Sequence, residues 1–173
     1  VAGYLALAPD GLTSLGGYPG DDERAAPMFS QVDGAKMRED FFAAAAWVKA
    51  HANSTGKLGA VGFCYGGGIV NQLAVKMGAD LAAGVPFYGA APAPADAAKI
   101  KTPINAQFGE LDTRINAGWD AYKAALMLNL IGADWSPIFV DFFGKAEQRT
   151  PEYRTNVNEM GEVPVLVHRS RKL

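Results

Sequence analysis

Short apolar runs alternate with longer amphipathic stretches along this chain, and that alternation predicts most of its elements. Tyr4-Leu5-Ala6-Leu7-Ala8 is a continuous apolar run closed by Pro9-Asp10-Gly11, the pattern of a strand buried on both faces of a parallel sheet. Residues 11–33, rich in Gly, Pro, Asp and Ser, read as a long loop. Met37, Phe41, Ala45, Val48 and Ala52 recur at helical spacing and predict a helix over residues 34–52, ended by Asn53-Ser54-Thr55-Gly56. An apolar strand then leads into Cys64, followed by a helix over 66–78 and a short strand from Ala83 to Phe87. An Ala- and Pro-rich loop spans 89–102, and Pro103 to Phe108 reads as the next strand. Gly109-Glu110-Leu111-Asp112 turns into a helix from Ile115 to Leu130, and Trp135 to Phe142 reads as a last core strand. Strands alternating with helices predict an α/β fold, with a mostly parallel sheet and helices on both faces. Such sheets bind ligands beyond the carboxyl ends of their strands. Cys64 and Asp112 each fall just past the end of a different predicted strand.

Composition narrows the class. The 173 residues suit a single domain over 1–173, and a chain of this size buries roughly 70% of its unfolded surface without needing a disulfide or structural metal. The net charge of −2 carries no basic stripe, which argues against a nucleic-acid partner. No apolar run reaches membrane-spanning length, so no membrane partner is expected. One cysteine makes no internal disulfide, which suits a reducing, cytoplasmic compartment. The opening Val1-Ala2-Gly3-Tyr4 has neither an initiator Met nor a signal-peptide pattern and enters an apolar strand at once. It reads as a chain that begins partway through a larger fold.

Lys57-Leu58-Gly59-Ala60-Val61-Gly62-Phe63-Cys64-Tyr65-Gly66-Gly67-Gly68 is the most informative stretch. Gly62-Phe63-Cys64-Tyr65-Gly66 has the Gly-x-nucleophile-x-Gly spacing of a nucleophile elbow, with cysteine in place of the commoner serine. Glycines on both sides of the nucleophile are expected to admit close packing of strand and helix around a strained turn. A helix N-terminus behind Cys64 favours the thiolate, the nucleophilic form. The Tyr65 amide would then face an oxyanion formed on a substrate carbonyl. The competing reading is a buried structural cysteine. No second Cys or His lies at ligand spacing, so no metal is expected.

Asp112 reads either as the acid that orients a histidine or as an ordinary helix N-cap. Its order after Cys64 follows the nucleophile, acid, histidine order of α/β-hydrolases. Only His51 and His168 are available. His51 ends the helix before the elbow strand, away from the carboxyl edge. His168 follows Asp112 in order but lies in what looks like a late strand, Val163-Pro164-Val165-Leu166-Val167-His168-Arg169. Glu110, Arg114 and Asp10 also fall near predicted strand ends. Arg114 has the guanidinium that pairs with a carboxylate, or is a surface arginine.

The segments GYLALAPDGLTSLGGYPG, FFAAAAWVKAH, GKLGAVGFCYGGG, AAGVPFYG and LDTRINAGWDAYKAAL resemble the dienelactone hydrolase family of α/β-hydrolases over residues 3–126. The resemblance implies ester or lactone hydrolysis by a Cys-His-Asp triad, with no cofactor. It implies Cys64 as nucleophile, Asp112 as triad acid and the Tyr65 amide as one oxyanion donor. Two departures accompany it. Family members carry strands and a helix ahead of the GYLALAPD strand, holding the other oxyanion donor and a glutamate near the cysteine, and this chain starts too late to supply either. Their triad histidine sits in a segment like N-H-G-F followed by T-P-x-Y. Here Gly144 and Thr150-Pro151-Glu152-Tyr153 keep that frame and Phe143 stands where the histidine would be. The fold expected is thus α/β-hydrolase-like in a truncated version.

Three activities follow as expectations. The first is a hydrolase whose partner is a small-molecule ester or lactone. The second is a weak or inactive family member acting as a binding or self-associating module, since missing edge strands leave a sheet edge open to a homo-oligomer. The third is a redox-sensing thiol protein.

Overall fold

The computed structural model describes residues 3–109, 111–133, 145–157, 159–160, 167–168 and 171–172. Its helices and strands run in the order α1 (Asp22–Met28), α2 (Gly34–Ala50), β1 (Gly59–Phe63), α3 (Tyr65–Met77), β2 (Ala83–Phe87), α4 (Pro94–Ala97), α5 (Thr113–Leu130), α6 (Pro151–Asn156), β3 (Val167–His168) and β4 (Arg171–Lys172). The strand expected at Trp135 to Phe142 lies outside the described residues.

Four of the helices, α1, α2, α5 and α6, begin where side chains satisfy the orphan amides of a first turn. The Asp33 carboxylate accepts from the amides of Ala35 and Lys36 and starts α2. The Asp21 carboxylate does the same for Glu23 and Arg24 and starts α1, inside the stretch read from sequence as loop. The signal for α1 was present in that cap and the acidic pair Asp22-Glu23, but Gly and Pro on both sides outweighed it.

β1 and β2 pair in parallel with Gly59 opposite Ala83 and Phe63 opposite Phe87. The segment expected as the next strand pairs with β2 only through two parallel bridges, Gly84 with Ile104 and Phe87 with Gln107. Proline explains the gap. The amides of Gly84 and Tyr88 donate to Pro103 and Gln107 at 3.0 and 2.7 Å, while Pro86, midway, has no N–H to give.

Helix α3 lies across β1 and β2, and α2 packs on α3. Ile69, Leu73 and Ala74 of α3 meet Leu58, Leu81, Ile100 and the α5 residues Tyr122, Ala125 and Leu126 in one buried cluster. Phe41, Phe42, Ala45 and Val48 close it from α2, and three of these belong to the stripe the sequence periodicity marked, whereas Ala52 lies past the helix end and is exposed. Gly62, Gly84 and Pro86 turn toward this core and are buried, while Val61 and Phe63 on the alternate face are 65% and 57% exposed.

Tyr4 to Ala8 is not a strand. The segment has no regular structure, and Tyr4, Leu5 and Leu7 are exposed. Apolar composition supplies a reason to be buried, but a strand also needs a ladder partner. No described strand pairs with this run.

Candidate active site

The chain leaves β1 through one residue, Cys64, and enters α3 at Tyr65. Cys64 has φ 52° and ψ −114°, a left-handed conformation that costs a non-glycine residue about 1–3 kcal/mol. Hydrogen bonds on both sides hold it. The Cys64 amide donates to the Phe87 carbonyl at 3.0 Å, and its carbonyl accepts from the Gly68 amide at 3.2 Å. The thiol-bearing residue is exposed, so the buried-cysteine reading does not apply.

Glycines make the turn sterically accessible, though not the pair expected from the motif. A Cβ on Gly62 would collide with the Gly66 carbonyl. A Cβ on Gly66 would meet nothing within 4 Å, whereas one on Gly67 would stand 2.6 Å from the Phe87 carbonyl oxygen and 2.9 Å from the Gly89 Cα. Gly67, the second glycine after the thiol, is therefore the one that lets α3 approach the end of β2, and Gly89 is its counterpart from the other side.

Tyr65 is the first residue of α3, so its amide has no acceptor within the helix. Its phenol is half-exposed and lies 6.5 Å, ring to ring, from Phe41. Partial burial raises the phenol above its usual range, against the opposing pull of the Arg38 charge.

Asp112 precedes α5, and its Oδ1 accepts from the Ile115 amide at 3.1 Å while its carbonyl accepts from Asn116 at 2.9 Å. It is an N-cap. That role leaves the carboxylate at the same sheet edge as Cys64, because β1, β2 and the 104–107 segment all run parallel and Asp112 lies just beyond the last of them. Two strand spacings, about 10 Å at the backbone, separate β1 from the 104–107 segment.

Tyr88 is the residue that sequence reasoning passed over. It follows β2 as Cys64 follows β1, next to it in register, and also has positive φ, 38°. Phe63 stacks on Phe87 at 4.7 Å and tilts against Tyr88 at 6.4 Å, so the thiol edge has an aromatic rim. The signal was the sequence Phe87-Tyr88-Gly89, a bulky residue at a strand end followed by glycine.

The remaining candidates divide clearly. Asp10 is a loop staple, its two carboxylate oxygens accepting from the amides of Leu12 and Tyr18 at 2.9 and 2.7 Å. Arg114 is exposed in the first turn of α5. His51 caps the end of α2, with Nδ1 accepting from Asn53 at 3.1 Å. The nearby Lys49 ammonium pairs with Asp80, just ahead of β2, so this end of α2 stands at the amino edge of the sheet, as expected. His168 lies in the two-residue strand β3, paired antiparallel with β4. Glu110, Phe143 and Gly144 lie outside the described residues. Thr150 caps α6 by accepting from the Tyr153 amide at 3.2 Å, and Pro151 occupies the first helical position. Among the described residues no His, Cys, Asp or Glu cluster could hold a metal ion, and no helix is long and apolar enough to cross a membrane.

A strand, a strained cysteine turn and a helix at the carboxyl edge of a parallel sheet agree with a comparison over most of the chain. Residues 1–129 match the dienelactone hydrolase family. The chain belongs to this family, and its fold is that of the α/β-hydrolases. A segment of 32 residues is 62% identical to the Escherichia coli (strain K12) protein named "Putative hydrolase fragment YghX". That match covers 18% of this chain and 27% of the length of that protein.

Proposed function

We propose that this dienelactone hydrolase family member cleaves a lactone or small carboxylic ester, with Cys64 as nucleophile, Asp112 as the acid of the site and the Tyr65 amide as an oxyanion donor. The observation that supports it most is an exposed thiol on a left-handed turn, directly at a helix N-terminus. The Cys64 sulfur attacks the ester carbonyl carbon, and the carbonyl electrons move to oxygen, beside the Tyr65 N–H. Collapse breaks the acyl C–O bond. The departing alkoxide takes a proton from water, leaving a thioester on Cys64. A second water adds to that thioester, loses a proton to the hydroxide left by the first, expels the thiolate and gives the carboxylic acid.

A histidine at the Phe143 position would have served as the base. General base catalysis contributes about 10²–10⁴-fold, and an oxyanion donor about 10²–10³-fold. A thiol remains nucleophilic without that base, so acylation of Cys64 by an activated ester is expected to outpace release of the acyl group. The test is p-nitrophenyl acetate mixed with the full chain and with Cys64→Ser. A burst equal to the thiol concentration, followed by slower turnover and absent from Cys64→Ser, is the expected result. Equal rates for both proteins would end the hydrolase reading.

A second reading has an observation of its own. Val61 and Phe63 leave an apolar face of β1 exposed, and Tyr4 and Leu7 are exposed as well, the kind of surface that self-association covers. A burst without turnover, from a chain that light scattering finds oligomeric, would favour a binding module over an enzyme.

A further inference from the structure

Two polar side chains are wholly enclosed in the core behind the thiol turn. Asn71 of α3 and Tyr122 of α5 are each 0% exposed. The Tyr122 hydroxyl donates to Asn71 Oδ1 at 2.9 Å, and Asn71 Nδ2 donates to the Ala90 carbonyl at 2.9 Å. The chain of bonds joins three elements that each present a residue to the carboxyl edge. Asn71 lies seven residues, two turns, past Cys64 on the same helix face. Ala90 follows Tyr88 and Gly89, and Gly89 is packed backbone to backbone on Gly67. Tyr122 lies on the helix that Asp112 caps. Gly118, one turn nearer Asp112, would place a Cβ 3.6 Å from the Ala91 side chain, so α5 runs close beside the same connection.

An apolar pair of similar volume would fill this space with little loss of stability, because the net contribution of a buried hydrogen bond is small once the desolvation of its partners is counted. What a hydrogen bond adds is direction, since only one relative placement of its partners satisfies both. We propose that the Tyr122–Asn71–Ala90 hydrogen-bond chain is the positioning device of the thiol site. It holds α5, and with it Asp112, and the turn at Tyr88 against the helix that begins at Cys64. Tyr122 and Asn71 are positioning residues that act through those elements. The inference rests on the reading of Cys64 as nucleophile and Asp112 as its acid.

The test uses the full chain, Tyr122→Phe, and the double variant Asn71→Leu/Tyr122→Phe. Three readouts apply to each: p-nitrophenyl acetate kinetics, the iodoacetamide alkylation rate of Cys64 at pH 7, and the urea midpoint. Tyr122→Phe is expected to lower kcat about tenfold at unchanged KM, within the loss that a ~1 Å misplacement produces. Alkylation should slow about threefold, because the amides of the first α3 turn are held less squarely toward the sulfur. The double variant, which removes both members of the pair, should regain the midpoint but neither kcat nor the alkylation rate. A lowered midpoint with kcat and alkylation unchanged would overturn the proposal, as would a double variant that recovers kcat along with its stability. Should Tyr122→Phe not fold, the double variant carries the same test. If the unsubstituted chain gives no turnover, the hydrolase reading fails while alkylation still judges the hydrogen-bond chain: slower alkylation supports it and an unchanged rate overturns it.

Discussion

Cys64 holds a backbone conformation suited to glycine, and its strain of about 1–3 kcal/mol persists only because bonds to Phe87 and Gly68 fix both neighbouring peptides. Removing the side chain should therefore help the fold. Cys64→Gly is expected to raise stability by about 1 kcal/mol once glycine's larger unfolded-state entropy is subtracted. The same change should abolish the p-nitrophenol burst. A urea titration beside the burst assay checks both, and a Cys64→Gly chain less stable than the original would mean that the thiol itself contributes packing. The adjacent Tyr88 raises the same question with a bulkier side chain. Strain at two neighbouring strand ends is more naturally read as an arrangement of side chains for use than as a requirement of the sheet.

At the scale of elements, Asp112 is an observed helix cap and the proposed acid of the site, and substitution can separate charge from hydrogen bonding. Its carboxylate caps α5 through the Ile115 amide at 3.1 Å. Asp112→Ala should cost about 1 kcal/mol of stability, the usual worth of a lost N-cap. Asp112→Asn keeps a capping oxygen and should stay within about 0.5 kcal/mol of the original, since Asn and Asp cap about equally well. If the negative charge serves the thiol, turnover should fall in both variants. Thermal unfolding and steady-state rates measured side by side distinguish the cases: activity that tracks stability alone would leave Asp112 a cap and nothing more. The long helices were the most legible elements in the sequence, whereas the short α1 and α4 fall in stretches that read as loops. The stripe from Met37 to Val48 and the stretch up to Leu130 recur as α2 and α5 within a few residues. The segment Pro103–Phe108 was legible as a strand, but its reduction to two bridges was set by Pro86 in a different strand.

For the molecule as a whole, burial of tyrosines links stability to alkaline pH. Desolvation raises the phenols of Tyr122, Tyr65 and Tyr153 above the ordinary value of 10.0, most strongly for Tyr122, which has no exposure. The folded chain holds these protons after the unfolded chain has released its own. Their contribution is thus complete below pH 10 and is lost as pH rises through the higher folded values. Urea midpoints from pH 8 to pH 11 should be level at first and then decline, with Tyr122→Phe showing the smaller decline. The sequence by itself determined the stripes of the long helices and the β1–turn–α3 unit that carries Cys64, because each depends on neighbours within a few positions of the chain. Tertiary structure alone decided that Tyr4–Ala8 is not a strand, that Gly67 rather than Gly66 takes the close approach, that Tyr88 joins the edge, and that Asn71 meets Tyr122. Each of these depends on which backbone lies alongside, and hydrogen-bond ladders and steric contacts between distant segments leave no periodic mark in either segment alone.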